Sequence, residues 1–442
     1  MTFGDNRQGA PPVPIPNTAV KALAADGSWT QCPVRVGYCQ IMARFSERRA
    51  GSLFLPFKSC GDRKGIQEDA CRGTALAGTP CLSMATPSSH LPVESPRVIL
   101  PNLGRRFSGV TSTLLQAAER QKDLVPLVVW GKSFVGEGIP LVGFLELLSL
   151  TKSPIANGLR RVYHARRNVE MLWGLILRDW FRRPLKLVFT STAQRNHSRY
   201  TRFLIHRMDA IITTSDRAGS FLEKPADFVI PHGIAIERYP YIEDKERAWS
   251  ELGFPGKKGI GVFGRVRPQK GVDLFVRAMI QKLPQFPEYT AVIVGKTTLK
   301  FEGFAQSLKK DIEDAGLSDR FLWLGEVEFD ELPSLYGAMS IVAAVSRVEG
   351  FGLTCLEAMS AGTPVIASRT GGFEMVVRDG TDGRLVDCND SDAIAEAFKI
   401  MAETPSRLAE MARLGRLRVE ESFSIEREAK ELVDAYHSIA RS

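Results

Sequence analysis

Ile341-Val342-Ala343-Ala344-Val345-Ser346-Arg347-Val348-Glu349-Gly350-Phe351-Gly352-Leu353-Thr354-Cys355-Leu356-Glu357 decides how this 442-residue chain is read. Its first four residues are an apolar run of strand length, with the continuous hydrophobicity of a parallel strand buried on both faces. Beyond Glu357, Ala358, Met359, Ser360 and Ala361 continue a helix. A glycine-containing turn thus leads from the carboxyl end of a strand into a helix, where open α/β sheets bind their ligands. The amides of Gly350, Phe351, Gly352 and Leu353 are expected at the helix N-terminus, where unpaired N–H groups attract phosphate or sugar oxygens. Glu349 falls in the loop beside such a ligand, and Glu357 lies a turn or two into the helix, facing another part of it. Two carboxylates that accept from two sets of hydroxyls suit a sugar joined to a ribonucleotide. A Glu-x7-Glu spacing alone is common on helix surfaces, so its meaning comes from context.

The context lies about eighty residues upstream, in Gly264-Arg265-Val266-Arg267-Pro268-Gln269-Lys270-Gly271. This run also follows an apolar strand, and it places two cations, Arg265 and Lys270, at a strand-to-helix turn, as a diphosphate requires. Just before it, Gly259-Ile260-Gly261-Val262-Phe263-Gly264 reads formally as the dinucleotide fingerprint. Its glycines sit within the strand rather than after it, and no acidic residue ends a second strand about twenty residues on. These two absences count against a nucleotide-dependent oxidoreductase or epimerase, the main reading from another enzyme class. Further strands are expected at Thr290 to Val294, Arg320 to Leu324, Ile341 to Ala344 and Pro364 to Ala367. With helices between them they make a doubly wound parallel sheet. Gly371 and Gly372 are expected to allow close backbone approach to a ligand. Asp390-Ser391-Asp392 has the form of a metal-binding pair but precedes a helical run, so capping is the expected role.

Together these motifs resemble the retaining GT-B glycosyltransferases of family 4. The resemblance implies that Arg265 and Lys270 hold the donor diphosphate, that Glu349 meets the donor sugar, and that Glu357 meets the ribose. It also implies two Rossmann-like domains facing a cleft, an α/β architecture with a final helix crossing back to the first domain. Phe228-Val229-Ile230-Pro231-His232-Gly233 resembles the family's run near the domain boundary. The organisation expected is an extension over 1–94, an amino-terminal acceptor domain over 95–240, a linker over 241–258, a donor domain over 259–422 and a crossover helix over 423–442. In the resembled family the first strand-to-helix turn, here Asn102 to Thr113 with Gly109 and an expected cap at Ser108, closes over the donor. His164, at the carboxyl end of a short strand, is implied to contact the donor sugar, as a catalytic-site residue. No metal or other cofactor is required by this reading, because two cations stand in its place.

Arg105-Arg106-Phe107-Ser108-Gly109-Val110-Thr111-Ser112-Thr113 and Tyr163-His164-Ala165-Arg166-Arg167-Asn168 narrow the resemblance to lipopolysaccharide-core mannosyltransferases of rhizobial type. That implies transfer of mannose from GDP-mannose to Kdo of the lipid A-linked inner core. Arg105, Arg106, Arg166 and Arg167 become the expected acceptor-binding residues, since arginine pairs bidentately with carboxylate and phosphate. A UDP-sugar donor with another envelope glycan acceptor is the alternative within the family.

Composition agrees with an anionic partner. Net charge is +8 with pI about 9.1, and about a third of the residues from 160 to 207 are Arg, Lys or His. A solvated basic face is one reading of that run, and an acceptor that is anionic, membrane-borne or both is the other. Nucleic acid is not expected, because Tyr163, Trp180 and Tyr200 are not spaced as a stacking platform. The longest apolar run, Ile139 to Leu150, contains Glu146 and is too short to cross a bilayer. From the charge and the acceptor class the resemblance implies, the protein is expected to be cytoplasmic and peripheral to the inner membrane. Met171, Leu172, Leu175, Ile176 and Trp180 recur at helical spacing and read as a core stripe. Residues 193 to 207 read as one basic helix.

Residues 1–94 carry clustered Pro and Gly, five of the seven cysteines, and no sustained period. They read as disordered or as non-native extension, with Met84 as a candidate start. Ser46-Glu47-Arg48-Arg49 lacks the apolar stretch of an export signal.

Overall fold

The computed structural model describes residues 95–104, 109–131, 138–155 and 158–442. The extension over 1–94, the cap at Ser108 and the acceptor-side residues Arg105 and Arg106 lie outside the described residues.

The first domain runs β1 (Val98–Asn102), α1 (Gly109–Gln121), β2 (Leu127–Gly131), β3 (Leu141–Val142), α2 (Phe144–Leu150), β4 (Arg161–Ala165), α3 (Asn168–Leu175), β5 (Leu185–Ser191), α4 (Arg199–Ile205), β6 (Ala210–Thr213), α5 (Asp216–Gly219) and β7 (Phe228–Val229). The second runs α6 (Lys245–Leu252), β8 (Lys258–Phe263), α7 (Val272–Lys282), β9 (Tyr289–Val294), α8 (Glu302–Asp314), β10 (Phe321–Gly325), α9 (Leu332–Ala338), β11 (Ile341–Ala344), α10 (Leu353–Ser360), β12 (Val365–Ser368), α11 (Phe373–Val376), β13 (Gly383–Val386), α12 (Ser391–Ala402) and α13 (Pro405–Ser422). One last helix, α14 (Ile425–Arg441), follows.

Both sheets are parallel. The first has the order β3-β2-β1-β4-β5-β6-β7 and the second β10-β9-β8-β11-β12-β13. Strand order reverses between β1 and β4 and again between β8 and β11, so each sheet has one topological switch point. The loops after those four strands carry the motifs read from the sequence. Central strands are buried on both faces, which explains why they appear as unbroken apolar runs rather than as alternation.

Gly259 and Gly261 serve packing inside β8. A Cβ at Gly259 would lie 2.0 Å from the Trp249 ring, and one at Gly261 3.0 Å from the Met339 sulfur. Trp249 belongs to α6, within the segment expected as a linker. That segment is instead docked on the second domain: Trp249 is buried, and Lys245 donates to Gly337 O, Ala361 O and Thr363 Oγ1 at 2.8–3.1 Å. Burial without a carboxylate partner lowers its ammonium to about 7.

The final helix does cross back. Its buried face, including Ile425, Leu432, Tyr436 and Ile439, joins the first domain's core with Leu100, Val188 and Ala117. Ser424 caps it, accepting from Arg427 N. Its start is clipped to the hinge run: Ile234 N donates to Phe423 O and Ile425 N to Ile234 O, at 2.9 and 3.0 Å. Gly233 permits that approach, since a Cβ there would lie 2.3 Å from Ser424 O.

Two helical expectations need correction. The basic helix shortens to Arg199–Ile205, because Ser198, not an earlier residue, supplies the N-cap, and residues 192–198 form a loop at the end of β5. The expected core stripe divides. Met171, Leu175 and Leu177 are buried, whereas Leu172 and Trp180 are exposed. The helix continues past Leu175 as a π turn over Ile176–Trp180, and the changed period rotates Trp180 to the outside.

Candidate active site

Lys270 reaches Glu349 at the second switch point. Its ammonium lies 2.5 Å from Glu349 Oε2, with the two side chains only 19% and 16% exposed. Ser346 donates to the same oxygen at 3.2 Å, and the Gly350 amide donates to Oε1 at 3.1 Å. The loops are held together by residues that the sequence reading missed. Arg347 makes a bidentate pair with Asp273 at 2.7 Å for each bond, donates to Pro268 O at 2.5 Å, and offers its own amide to Gln269 O. Bidentate geometry fixes orientation as well as distance. Gly271 holds φ 68°, and a Cβ there would lie 1.9 Å from Val345 O; only glycine lets the cationic turn approach β11 this closely.

Arg265 is exposed at the head of this turn. Arg267 is half-buried, its Nε has no hydrogen-bond partner, and burial, with Arg265 nearby, lowers its guanidinium below the usual value. Three cations therefore converge on the mouth of one loop.

Glu357 stands behind this group in a tyrosine clamp. Tyr336 donates to its Oε2 at 2.6 Å, and Tyr239 hydrogen-bonds the same carboxylate. Burial raises the carboxyl above its usual range, and the two hydroxyls partly offset this. Tyr336 is in turn stacked on Phe263, at 4.0 Å between ring centroids.

The helix N-terminus begins at Leu353, with Gly352 as the cap at φ 93°. Phe351 is not turned to the donor side. It is buried edge-on to His232 at 5.3 Å, near Phe423, so its side chain belongs to the hinge and only its backbone is left for a ligand. Gly371 and Gly372 also differ from expectation: the close approach they allow is to the backbone of Glu349, Gly350 and Phe351, with Gly372 N donating to Gly350 O. Asp390 caps α12 by accepting from Ala393 N at 2.8 Å.

On the first domain, His164 is at its strand end but does not open to the cleft. It is fully buried. Its Nδ1 lies 2.6 Å from Tyr436 Oη and its Nε2 2.6 Å from Thr190 Oγ1. Burial, then Arg166 and His232, drives its pKa well below the usual value, so it is a neutral, internally satisfied imidazole rather than an exposed contact. Arg166 turns inward toward Tyr436, with Nε and Nη1 buried and unpartnered. Arg167 binds Glu170 at 2.7 Å and Thr111 Oγ1 at 2.8 Å, and its guanidinium packs over Gly104. Arg167 thus ties the β4 turn to the β1 turn, where Gly109 opens α1 with free space around it, and Arg166 faces the final helix.

The exposed polar hollow lies one strand over. Asn168, Thr192, Gln194, Arg195 and His197 line it. It adjoins a pocket formed by Gln194, Arg217, Glu349, Thr370 and Gly371, between the domains. Arg217 crosses to Glu374 at 2.5 Å. The sequence reading had hidden this hollow inside the supposed basic helix. A group bound over Lys270 and Glu349 would therefore meet one entering past Gln194. Among the described residues no cluster of three or more metal-ligating side chains occurs.

Comparisons with known proteins agree with this geometry. A family model described as "Glycosyl transferases group 1" matches residues 244–418. Lipopolysaccharide core biosynthesis mannosyltransferase LpcC of Rhizobium leguminosarum bv. viciae is 43% identical over 348 residues, covering 78% of this chain and 97% of that protein. LpsB of Rhizobium meliloti, of the same description, is 41% identical over 352 residues, covering 79% and 99%. Among solved structures, HepE of Anabaena in complex with UDP and glucose has TM-score 0.66 at 22% identity, covering 78% of this chain and 100% of that one. Sucrose-phosphate synthase of Thermosynechococcus elongatus has TM-score 0.65 at 19% identity, covering 78% and 99%. These two structures establish the likeness of fold.

Proposed function

This chain belongs to the group 1 glycosyltransferases, retaining enzymes of GT-B fold, and we propose that it moves mannose from GDP-mannose to Kdo of a lipid A-linked inner core at the membrane surface. The observation that carries the reading is the identity of 43% and 41%, over nearly the whole length of each relative and 78% and 79% of this chain, to two proteins named as lipopolysaccharide core mannosyltransferases. The paired loops of the second switch point supply the chemistry. Arg265 and Lys270 neutralise charge that builds on the leaving diphosphate as the glycosidic bond breaks. Glu349, held by Ser346 and the Gly350 amide, orients the sugar, and Lys270 is positioned to exchange its ion pair for a phosphate oxygen. Glu357 accepts from the ribose hydroxyls while the two tyrosines fix its rotamer. The acceptor hydroxyl approaches from the Gln194 side, on the same face as the departing diphosphate, which takes its proton and so gives retention.

Arg195 in the exposed hollow suits an acidic sugar, and the Arg166–Arg167 turn behind it adds positive potential. Transfer assays with GDP-mannose, UDP-glucose, UDP-galactose and UDP-N-acetylglucosamine, each offered with a Kdo-bearing lipid A precursor, test the reading. Product from GDP-mannose alone is expected. Product from a UDP-sugar instead would retain the site and discard mannose.

A further inference from the structure

The strongest feature outside the cleft is the outer face of α2, α3 with its π turn, and α4. These elements lie side by side on one face of the first sheet. Asn168 at the head of α3 donates to Thr201 of α4 at 2.9 Å, Arg178 of the π turn donates to Arg207 O at 3.1 Å, and Phe144 of α2 contacts Trp173 and Phe181 at 5.5 and 6.1 Å. Their inner residues form a core with Trp130, Tyr163 and Leu187. Their outer residues are also apolar. Val169, Leu172 and Trp180 follow one another down α3 and the π turn, with Trp180 82% exposed. Leu145 on α2 is 80% exposed, and Phe203 on α4 56%. A helix that shows apolar residues on both faces has two partners, and among the described residues only the inner one is present.

Charge says what the outer one is. Three carboxylates of this face are engaged by cations, Asp179 by Arg178 and Arg207, Asp209 by Arg178, and Glu223 by Arg202 and His206, and Glu146 of α2 accepts from the Gly143 amide at the head of its own helix. Arg182 and Arg199, both exposed, have no carboxylate within salt-bridge distance among the described residues. Arg207 lies over the Phe203 ring. Exposed aromatics and leucines beside unneutralised arginines match a bilayer surface, where apolar side chains enter the acyl boundary and arginines meet anionic headgroups. A second copy of this chain would set arginine against arginine across a twofold axis, which opposes association.

We propose that this face is the docking surface for an anionic lipid bilayer, and that Leu172, Trp180 and Phe203 are its apolar contacts. The inference rests on the reading of a membrane-borne acceptor and specifies the side from which it comes. The head of α3 lies at the carboxyl end of β4, so the stripe runs from the rim of the polar hollow down the domain. Docking along it would hold that hollow at headgroup level.

Sedimentation of the full chain with vesicles tests this. Binding to vesicles of phosphatidylcholine with phosphatidylglycerol is expected, with much less to phosphatidylcholine alone. Trp180→Glu/Phe203→Glu should lower partition by roughly tenfold or more with Tm little changed, since both side chains are more than half exposed. Arg182→Glu/Arg199→Glu should lower it less, with the loss reproduced in the unaltered protein by raising salt. Unchanged partition of both variants would overturn the proposal, and so would absence of binding by the unaltered protein. A dimer dissociated by the first variant, without vesicle binding, would assign the face to a second copy and also overturn it. The vesicles carry no sugar acceptor, so this outcome is independent of the acceptor assignment. Transfer to a deacylated acceptor, which should survive in both variants, reports on that assignment separately.

Discussion

The two switch points have the same topology and are held in opposite ways. At β8 and β11 the loops bring Lys270 and Glu349 face to face at 2.5 Å, and a second pair, Arg347 with Asp273, fixes the loops that carry them. At β1 and β4 the polar residues look inward: His164 is consumed by Tyr436 and Thr190, and Arg167 by Glu170 and Thr111. A strand's carboxyl end therefore nominates a position, and the partners around it decide whether the side chain is free to act. One switch point is an assembled charge site, and the other is a scaffold beside an exposed hollow.

Glu349→Gln should break the assembled site most severely. It keeps the shape and removes the charge that holds Lys270, and kcat should fall by roughly a hundredfold or more, with Tm little changed. Steady-state transfer checks it. Arg347→Ala touches no substrate in this account, yet it releases both loops. A fall of roughly tenfold to a hundredfold in kcat/KM is expected from misplacement alone, and Arg347→Lys should restore little because the bidentate pair is lost.

Tyr336→Phe sharpens the division between binding and chemistry. It takes one hydroxyl from Glu357 and leaves the Phe263 stack. Donor KM should rise by roughly tenfold while kcat changes less, matching about 1.5 kcal/mol for a hydrogen bond to a charged group.

The smallest effect on activity is expected at His164, where the comparison predicts a stability role. Its folded pKa lies well below the usual value. The unfolded chain therefore binds more protons as pH falls below about 6.5, and stability declines in that direction, by up to about 1.4 kcal/mol per pH unit from this residue. His164→Gln should flatten that slope between about pH 6.5 and 5 in thermal melts and change kcat by less than about threefold. A large loss of kcat with an unchanged acid slope would return His164 to the chemistry.

What was legible in the sequence follows the same division. Buried parallel strands read as apolar runs, so β8 to β12 and the Arg265–Lys270 and Glu349–Glu357 motifs could be placed from the chain alone, whereas β13, only half-buried in its middle, was not. Their physics is local: a strand end, a glycine, a charged residue. The Arg347–Asp273 pair and the Tyr239–Tyr336 clamp join residues far apart in sequence, and no period marks them. The surroundings of His164 and Phe351 were not legible for a related reason. Each sits at the right place on its strand or loop, and each is turned by a residue of the crossover helix or hinge, Tyr436 or His232, that sequence spacing does not reveal. The stripe from Met171 to Trp180 was read as one face because a 3.6-residue period was assumed, and the π turn breaks it.

The most direct test of the assembled charge site is calorimetric titration of guanosine, GDP and GDP-mannose into the unaltered chain and into Arg265→Ala/Lys270→Ala. The account predicts that the double variant loses roughly a hundredfold in affinity for GDP and GDP-mannose and keeps its weak affinity for guanosine. Equal binding of GDP by both proteins would contradict it, and would place the diphosphate somewhere other than the loops after β8 and β11.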